Sequence, residues 1–164
     1  MSIRVGLGFD VHPFAPGRPL VLGGVVIPDA PGLAGHSDAD VVAHAVADAL
    51  LGAAGMDDLG TLYPASEDVN RDARSVGFLV DIAERLVADG WEIGNVDVVI
   101  AAETPRLAPH LDAIRTGVAD ALAAAAPGGA AVSVKPKRGE GLGAIGRAEG
   151  MAAWAVALLT RSVA

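Results

Sequence analysis

The chain has 164 residues, a common length for one domain, and 52% of them are hydrophobic, enough for a substantial core. It contains no cysteine, which excludes disulfides and thiol chemistry, so any transition-metal site must use histidine and carboxylate ligands. A net charge of −8 argues against a nucleic-acid coat, which needs a basic face. Because neither a signal peptide nor a membrane span is visible, we expect one cytoplasmic domain over residues 1–164.

Extended segments are predicted in the first part of the chain. They lie at 3–9 (IRVGLGF), 19–24 and 25–28, and the last two form a hairpin or meander with the pair Gly23-Gly24 near the turn.

A helix is predicted next, over residues 36–55. Ser37 is its expected N-cap, with Asp40 three residues later at a spacing like that of a capping box. Either Gly52 or Gly55 can close it.

Helices and strands alternate in the second half of the chain. After a loop at 57–73, the pattern predicts helices at 74–90 and 108–125, strands at 95–103 and 130–135, and a final helix at 147–161. Strands that alternate with helices need crossover connections, which indicates an α+β sandwich with a single mixed sheet. One helical layer covers one face of that sheet. The excess of apolar sequence predicts that the other face is buried in a homo-oligomer.

Histidines and carboxylates in the N-terminal part suggest a metal site. In an extended strand, Asp10 and His12 point to the same side, so they form either two metal ligands or an ordinary surface pair. His44, on the predicted helix, would complete a set of two nitrogens and one oxygen that is typical of catalytic zinc. Asp40 and Asp48 share one helix face with His44, and either is a candidate to orient its ring.

A basic, glycine-rich segment, KPKRGEGLGAIGR, lies at 135–147. It holds four of the twelve basic residues, which indicates either a site for a small anion such as phosphate or a solvated turn. Its G-x-G-x-x-G at 141–146 is not read as a dinucleotide fingerprint, because the acidic residue expected about 20 residues later would fall at or beyond Ala164.

His36 and Ser37 stand at the N-terminus of the predicted helix at 36–55, and a helix N-terminus favours anions. Together these features suggest phosphate chemistry.

Five segments resemble the 2-C-methyl-D-erythritol 2,4-cyclodiphosphate synthase family in order and spacing: GFDVH, GHSDADVVAHAVADALLGA, DDLGTLYP, NVDVVIAAETPRLAPH and GLGAIGRAEG. The resemblance covers residues 3–160. It implies cyclisation of 4-diphosphocytidyl-2-C-methyl-D-erythritol 2-phosphate with release of CMP, a step of the non-mevalonate isoprenoid pathway. It also implies a homotrimer, built around the sheets, with active sites between adjacent subunits.

The resemblance further implies roles for particular residues. The zinc ligands would be Asp10, His12 and His44. Glu140 would carry a second ion, magnesium or manganese, while His36 and Arg138 would be catalytic. The implied substrate-binding residues are Asp10, Val11, His12, His36, Ser37, Asp58, Leu59, Gly60, Tyr63, Ala102, Glu103, Thr104, Pro105, Arg106, Leu107, Ala108, Lys137, Arg138, Gly139, Glu140, Ala144 and Arg147. Within this set, the resemblance assigns His36, Ser37 and residues 58–60 to the methylerythritol part of the substrate, and residues 102–108 to a loop that binds the cytidine nucleotide.

The chain departs from the family pattern in three places. The family usually has Thr-Thr where this chain has Lys137 and Arg138, whose cations can hold a phosphate but lack a hydroxyl. Ala144 replaces a bulkier residue, and Ala65 lacks the side-chain contacts of the usual acidic residue. Two other functions therefore stay open: a zinc-dependent phosphoesterase with an acyclic product, and a non-catalytic trimer that binds a nucleotide or an isoprenoid diphosphate.

Overall fold

A computed structural model of the chain describes residues 1–126 and 128–162. Residues 127, 163 and 164 of the predicted 1–164 domain lie outside that part. Five strands form a mixed sheet in the order β2-β1-β5-β3-β4. Their bounds are β1 (Ser2–Leu22), β2 (Val25–Leu33), β3 (Glu92–Ala101), β4 (Ala131–Lys137) and β5 (Gly150–Arg161). Strands β3 and β4 are parallel and the other neighbouring pairs are antiparallel, which confirms the predicted mixed sheet.

Helices form a layer on one face of this sheet. They are α1 (Val41–Ala54), α2 (Leu59–Leu62), α3 (Ser75–Ala88), α4 (Leu111–Ala123) and α5 (Gly143–Gly146), with short 3-10 helices at Asp68–Asn70 and Ala108–His110. Helix α1 packs on β1 and β5, α4 packs on β4, and α3 packs against both helices. In the described part, no helix has both the length and the apolar character needed to cross a membrane.

Strand β1 has two different faces. Gly6 and Gly8 are buried against α1, and a Cβ atom at Gly8 would stand 1.9 Å from the carbonyl oxygen of Ala45. Only glycine allows the helix to lie this close to the strand. The residues between and beside them are exposed apolar side chains: Ile3, Val5, Leu7, Phe9 and Val11. The two-residue period of a strand therefore places Asp10 and His12 on the α1 side, as predicted.

The predicted final helix at 147–161 is wrong. Residues Gly150–Arg161 form β5, which pairs with β1 on one side and β3 on the other. Its alanines at 153, 155 and 157 are buried on the α1 side of the sheet. Trp154 and Val156, which lie between them in the sequence, are exposed on the other side. High alanine content favours a helix locally, but pairing with two strands and the need for small side chains beneath α1 decide the outcome.

The remaining elements agree in type with the predictions but differ in their bounds. Strand β1 extends far beyond the predicted 3–9, and the predicted loop at 57–73 contains α2 and a 3-10 helix. The predicted hairpin is confirmed, since Leu22 pairs with Val25. Between them Gly23-Gly24 has φ values of 58° and 77°, the left-handed backbone that a two-residue hairpin turn requires.

Asp40, rather than Ser37, caps helix α1, which begins at Val41 instead of residue 36. The Asp40 carboxylate accepts hydrogen bonds from four backbone amides: Gly23 (2.9 Å), Gly24 (2.7 Å), Val42 (3.1 Å) and Ala43 (3.0 Å). Burial raises the pKa of Asp40 to about 6, although the hydrogen bonds act in the opposite direction. This side chain therefore joins the β1–β2 turn to the start of α1. At the other end, Gly55 closes the helix with φ of 76°.

We expect Asp40→Ala to lower the free energy of unfolding by about 3 kcal/mol or more, because several buried amides would lose their acceptor. Urea unfolding at a fixed protein concentration, followed by circular dichroism, measures the change. Asp120→Ala, on the exposed surface of α4, is the matched control and should change stability by less than about 0.5 kcal/mol. Equal stability of the two variants would show that Asp40 does not have this role.

Candidate active site

The three predicted zinc ligands converge where β1 passes the first turn of α1. Oδ2 of Asp10 lies 2.9 Å from Nε2 of His12 and 2.8 Å from Nδ1 of His44, and the two ring nitrogens are 3.4 Å apart. A tetrahedral zinc ion with bonds of about 2.0–2.1 Å would hold its ligands roughly 3.3 Å apart. The three atoms need to move only a few tenths of an ångström, so this group fits a metal ion.

The charge of this group also suits a cation. Burial tends to raise the pKa of Asp10, but hydrogen bonds and charge interactions with His12 and His44 outweigh it and hold that pKa well below its usual value. The hydrogen bond to Asp10 in turn raises the pKa of His12, against the effect of burial. Asp10 is therefore an ionised ligand at neutral pH.

The other ring nitrogen of His44 faces two serines. Nε2 lies 2.9 Å from Oγ of Ser75 and 3.2 Å from Oγ of Ser37. The prediction that Asp40 or Asp48 orients this ring is wrong, because both carboxylates bind backbone amides. Oδ1 of Asp48 accepts a hydrogen bond from the amide of Leu59 at 2.8 Å, and this bond fixes the start of α2.

A cavity of about 270 Å³ opens in front of the three ligands. Its lining joins residues from β1, α1, α2 and α3 and the loops between them: Asp10, His12, His36, Ser37, His44, Leu59, Gly60, Tyr63, Ala65, Asn70 and Phe78. The structure thus brings together most of the residues predicted for the metal and the methylerythritol part. Asp58 stands beside them as the N-cap of α2. Sequence reasoning does not identify Asn70, which lies in a segment without periodicity, or Phe78, which lines the cavity from α3.

Tyr63 contributes its ring to the cavity wall. Its centroid is 4.5 Å from that of Phe78, while its hydroxyl donates to the carboxylate of Asp81. Asp81 also accepts from Nε of Arg85 at 3.0 Å. Burial and the hydrogen bond to Asp81 raise the pKa of Tyr63, so its phenol stays protonated. The Tyr63 hydroxyl therefore donates its proton in a hydrogen bond to Asp81.

Arg18 fixes the loop that carries His36. Its guanidinium donates to the backbone carbonyls of Gly35 and Ser37, on either side of His36, and the amide of Asp72 donates to the His36 carbonyl at 2.9 Å. Nε2 of His36 is buried and, within the described residues, has no hydrogen-bond partner. A buried donor or acceptor of this kind at a cavity wall is suited to a polar ligand. Sequence reasoning did not identify Arg18, which has no motif around it.

A second cavity, of about 300 Å³, joins the predicted nucleotide loop to the basic loop. It is lined by Ala102, Glu103, Pro105, Arg106, Leu107, Ala108, Pro136, Lys137 and Arg138. The Glu103 carboxylate binds the guanidinium of Arg138 and the amide of Gly139 (3.1 Å), and these interactions lower the pKa of Glu103. Arg138 is therefore paired. Among the described residues, none lines both this cavity and the one at the metal ligands.

The remaining predicted site residues lie outside both cavities. Arg147 pairs with Glu149 at 2.6 Å, and Glu140 is exposed with φ of 52°. Val11 is exposed on the open face of the sheet. Thr104, Gly139 and Ala144 do not line either cavity.

Comparisons with known proteins extend the resemblance to the whole fold. The YgbB family model matches residues 3–160. A curated 2-C-methyl-D-erythritol 2,4-cyclodiphosphate synthase from Rubrobacter xylanophilus is 53% identical over 163 residues, which are 98% of this chain and 96% of that protein. The IspF–CDP complex of Plasmodium falciparum aligns with a TM-score of 0.82 and 31% identity over 99% of this chain and 98% of that chain. The bifunctional IspDF of Campylobacter jejuni aligns with a TM-score of 0.90 and 38% identity over 98% of this chain and 43% of that chain.

We expect the protein to bind zinc through the cluster of Asp10, His12 and His44. His44→Ala should weaken zinc binding by more than about 100-fold, beyond the loss typical of residues that only support a ligand. Competition with a chromophoric chelator measures the affinity. His110→Ala, which removes a histidine at the start of α4, should bind zinc like the unmodified chain. Equal affinity of His44→Ala and the unmodified chain would rule out this site.

Proposed function

The chain belongs to the YgbB family, and on that premise we propose that it cyclises 4-diphosphocytidyl-2-C-methyl-D-erythritol 2-phosphate and releases CMP. An oxygen of the substrate's 2-phosphate bonds to the β-phosphorus while the bond from that phosphorus to CMP breaks, so no protein nucleophile is needed. The observation that carries this proposal is the cluster of Asp10, His12 and His44 in the wall of a cavity. The chain that holds this cluster is 53% identical to a curated synthase.

The work left to the protein is alignment and charge neutralisation. Asp10, His12 and His44 are proposed to hold zinc, which would supply Lewis-acid neutralisation of phosphate charge. His36 is proposed to bind the substrate through its buried Nε2, which no described residue hydrogen-bonds, with its backbone fixed by Arg18. Glu140 is proposed to carry the second ion, magnesium or manganese, from its exposed position in the basic loop.

The second cavity is proposed to hold the cytidine part of the substrate. The similar Plasmodium falciparum structure is a CDP complex, and the predicted nucleotide loop at 102–108 lines this cavity in the present chain. Arg138 stands at its edge, where Glu103 holds the guanidinium in place. We propose that Lys137 and Arg138 supply positive charge to the phosphates in place of the family's hydroxyl groups.

A homotrimer would bring the two cavities together. The metal cavity and the nucleotide cavity are separate in one chain, and the open face of the sheet carries exposed apolar side chains such as Leu7 (67% exposed) and Trp154 (40%). An apolar face of this kind is typical of subunit interfaces. We propose that residues 1–164 act as one domain in a cytoplasmic homotrimer, with each site shared by neighbouring subunits.

The reaction can be tested directly. Purified protein with zinc and magnesium should convert the cytidine-diphosphate substrate to equal amounts of CMP and cyclic diphosphate, followed by mass spectrometry. Asp10→Ala should reduce turnover to background because the metal group is lost, whereas Asp112→Ala, at a fully exposed position on α4, should not change it. CMP with an acyclic product would identify a phosphoesterase instead. Binding of CDP without turnover would identify a binding trimer.

The shared site can be tested separately. Leu7→Glu should convert the assembly of three 16.4 kDa chains into single chains, because charges would face each other across the apolar surface. Light scattering after size exclusion measures the mass. The single chain should keep zinc and lose turnover, and Val87→Glu, on the exposed side of α3, should remain a trimer. A fully active single chain would contradict the shared site.

A further inference from the structure

A group of polar side chains surrounds Nε2 of His44, the ring nitrogen that does not face Asp10. Oγ of Ser75 lies 2.9 Å from Nε2 of His44, and the Ser75 hydroxyl also bonds to Oδ1 of Asp38. The amide of Ser75 donates to Oδ2 of Asp38 at 3.1 Å. Ser75 is only 1% exposed and Asp38 is half-buried, so water has limited access to these bonds. Ser37 completes the group, 3.2 Å from both Ser75 and His44.

The chemistry of these groups fixes the direction of the hydrogen bonds. An ionised carboxylate only accepts, so the single hydroxyl proton of Ser75 points to Asp38. The lone pairs of the Ser75 oxygen then face Nε2 of His44, which must be the donor. A bound metal ion would replace the hydrogen bond between Nδ1 of His44 and Oδ2 of Asp10. The neutral ring would then keep its single proton on Nε2 and offer the lone pair of Nδ1 to the ion.

We propose that Asp38 and Ser75 are positioning residues for the metal, acting through His44 by holding its ring in the tautomer and orientation that leave Nδ1 free to bind zinc. This inference rests on the zinc site proposed above and goes beyond it by assigning two residues that do not line the cavity. Outer partners of a metal-bound imidazole commonly raise metal affinity in this way. Ser75 comes from a different element than His44, because it is the first residue of helix α3.

A purely structural role is the competing explanation. Asp38 also holds the loop before α1 to the first residue of α3, and its own amide donates to the carbonyl of Ala73 at 3.0 Å. In that case, replacing either side chain would change stability and leave zinc affinity alone. The amide of Ser75 remains a donor in Ser75→Ala, so this variant keeps one bond between loop and helix and removes the contact to His44.

The experiment measures zinc affinity by chelator competition for the full chain, with stability measured in parallel. Ser75→Ala and Asp38→Asn should each weaken zinc binding by about 10- to 100-fold. Asp38→Asn has the same shape, but its amide can donate to the Ser75 oxygen, so the direction of the hydrogen bonds is no longer fixed. Ser75→Thr keeps the hydroxyl and should restore most of the affinity. Ser133→Ala is the control, because Ser133 also donates to an aspartate, Asp97, at an exposed position away from the metal group.

A second measurement reports on the ring itself. In the zinc-loaded, 15N-labelled protein, the Nε2 proton of His44 should give a resolved imidazole signal, which Ser75→Ala should broaden or remove. Unchanged affinity and an unchanged signal in folded Ser75→Ala and Asp38→Asn would overturn the inference while leaving the zinc site intact. If the unmodified chain binds no zinc, the proposed metal site and this inference both fail.

Discussion

The close contact between helix α1 and the centre of the sheet is the constraint on which the rest of the structure depends. Gly6 and Gly8 leave no room for a side chain between β1 and the helix backbone, and the alanines of β5 continue the same shallow surface. His44 can therefore meet Asp10 and His12 at hydrogen-bond distance. A larger residue beneath α1 would lift the helix and separate one ligand from the other two.

Three carboxylates in and just before α1, those of Asp38, Asp40 and Asp48, connect this helix to its neighbours. Asp40 binds four amides and joins the helix to the β1–β2 turn, and Asp48 fixes the start of α2 at the cavity. Asp38 turns outward to α3 and Ser75. The three carboxylates are close together in the sequence, but their hydrogen bonds reach three different places in the fold: the β1–β2 turn, α2 and α3. Hydrogen bonds between several elements thus hold His44 in place beside Asp10 and His12, and preorganisation of this kind lowers the cost of assembling a charged site.

The two cavities lie in different parts of the fold. The cavity beside Asp10, His12 and His44 lies where β1 meets α1, whereas the second cavity lies where β3 and β4 end. On the face of the sheet opposite the helices, β1 and β5 expose a row of apolar side chains that no element of the chain covers within the described residues. Exposed apolar surface of this kind is typical of an interface, and the proposed homotrimer would cover it and bring the two cavities together.

The sequence by itself determined the features that depend on local spacing. These are the hairpin at Gly23-Gly24, the facing of Asp10 and His12 along a strand, and His44 as their partner. Tertiary structure alone decided the rest. The alanine-rich segment 150–161 became a strand because it pairs on both sides, and Asp40 displaced Ser37 as the helix cap because the glycine turn offered it two more amides. Ser75 and Arg18 reach the site from distant segments, and contacts across such separations leave no periodic or motif signal in a single sequence.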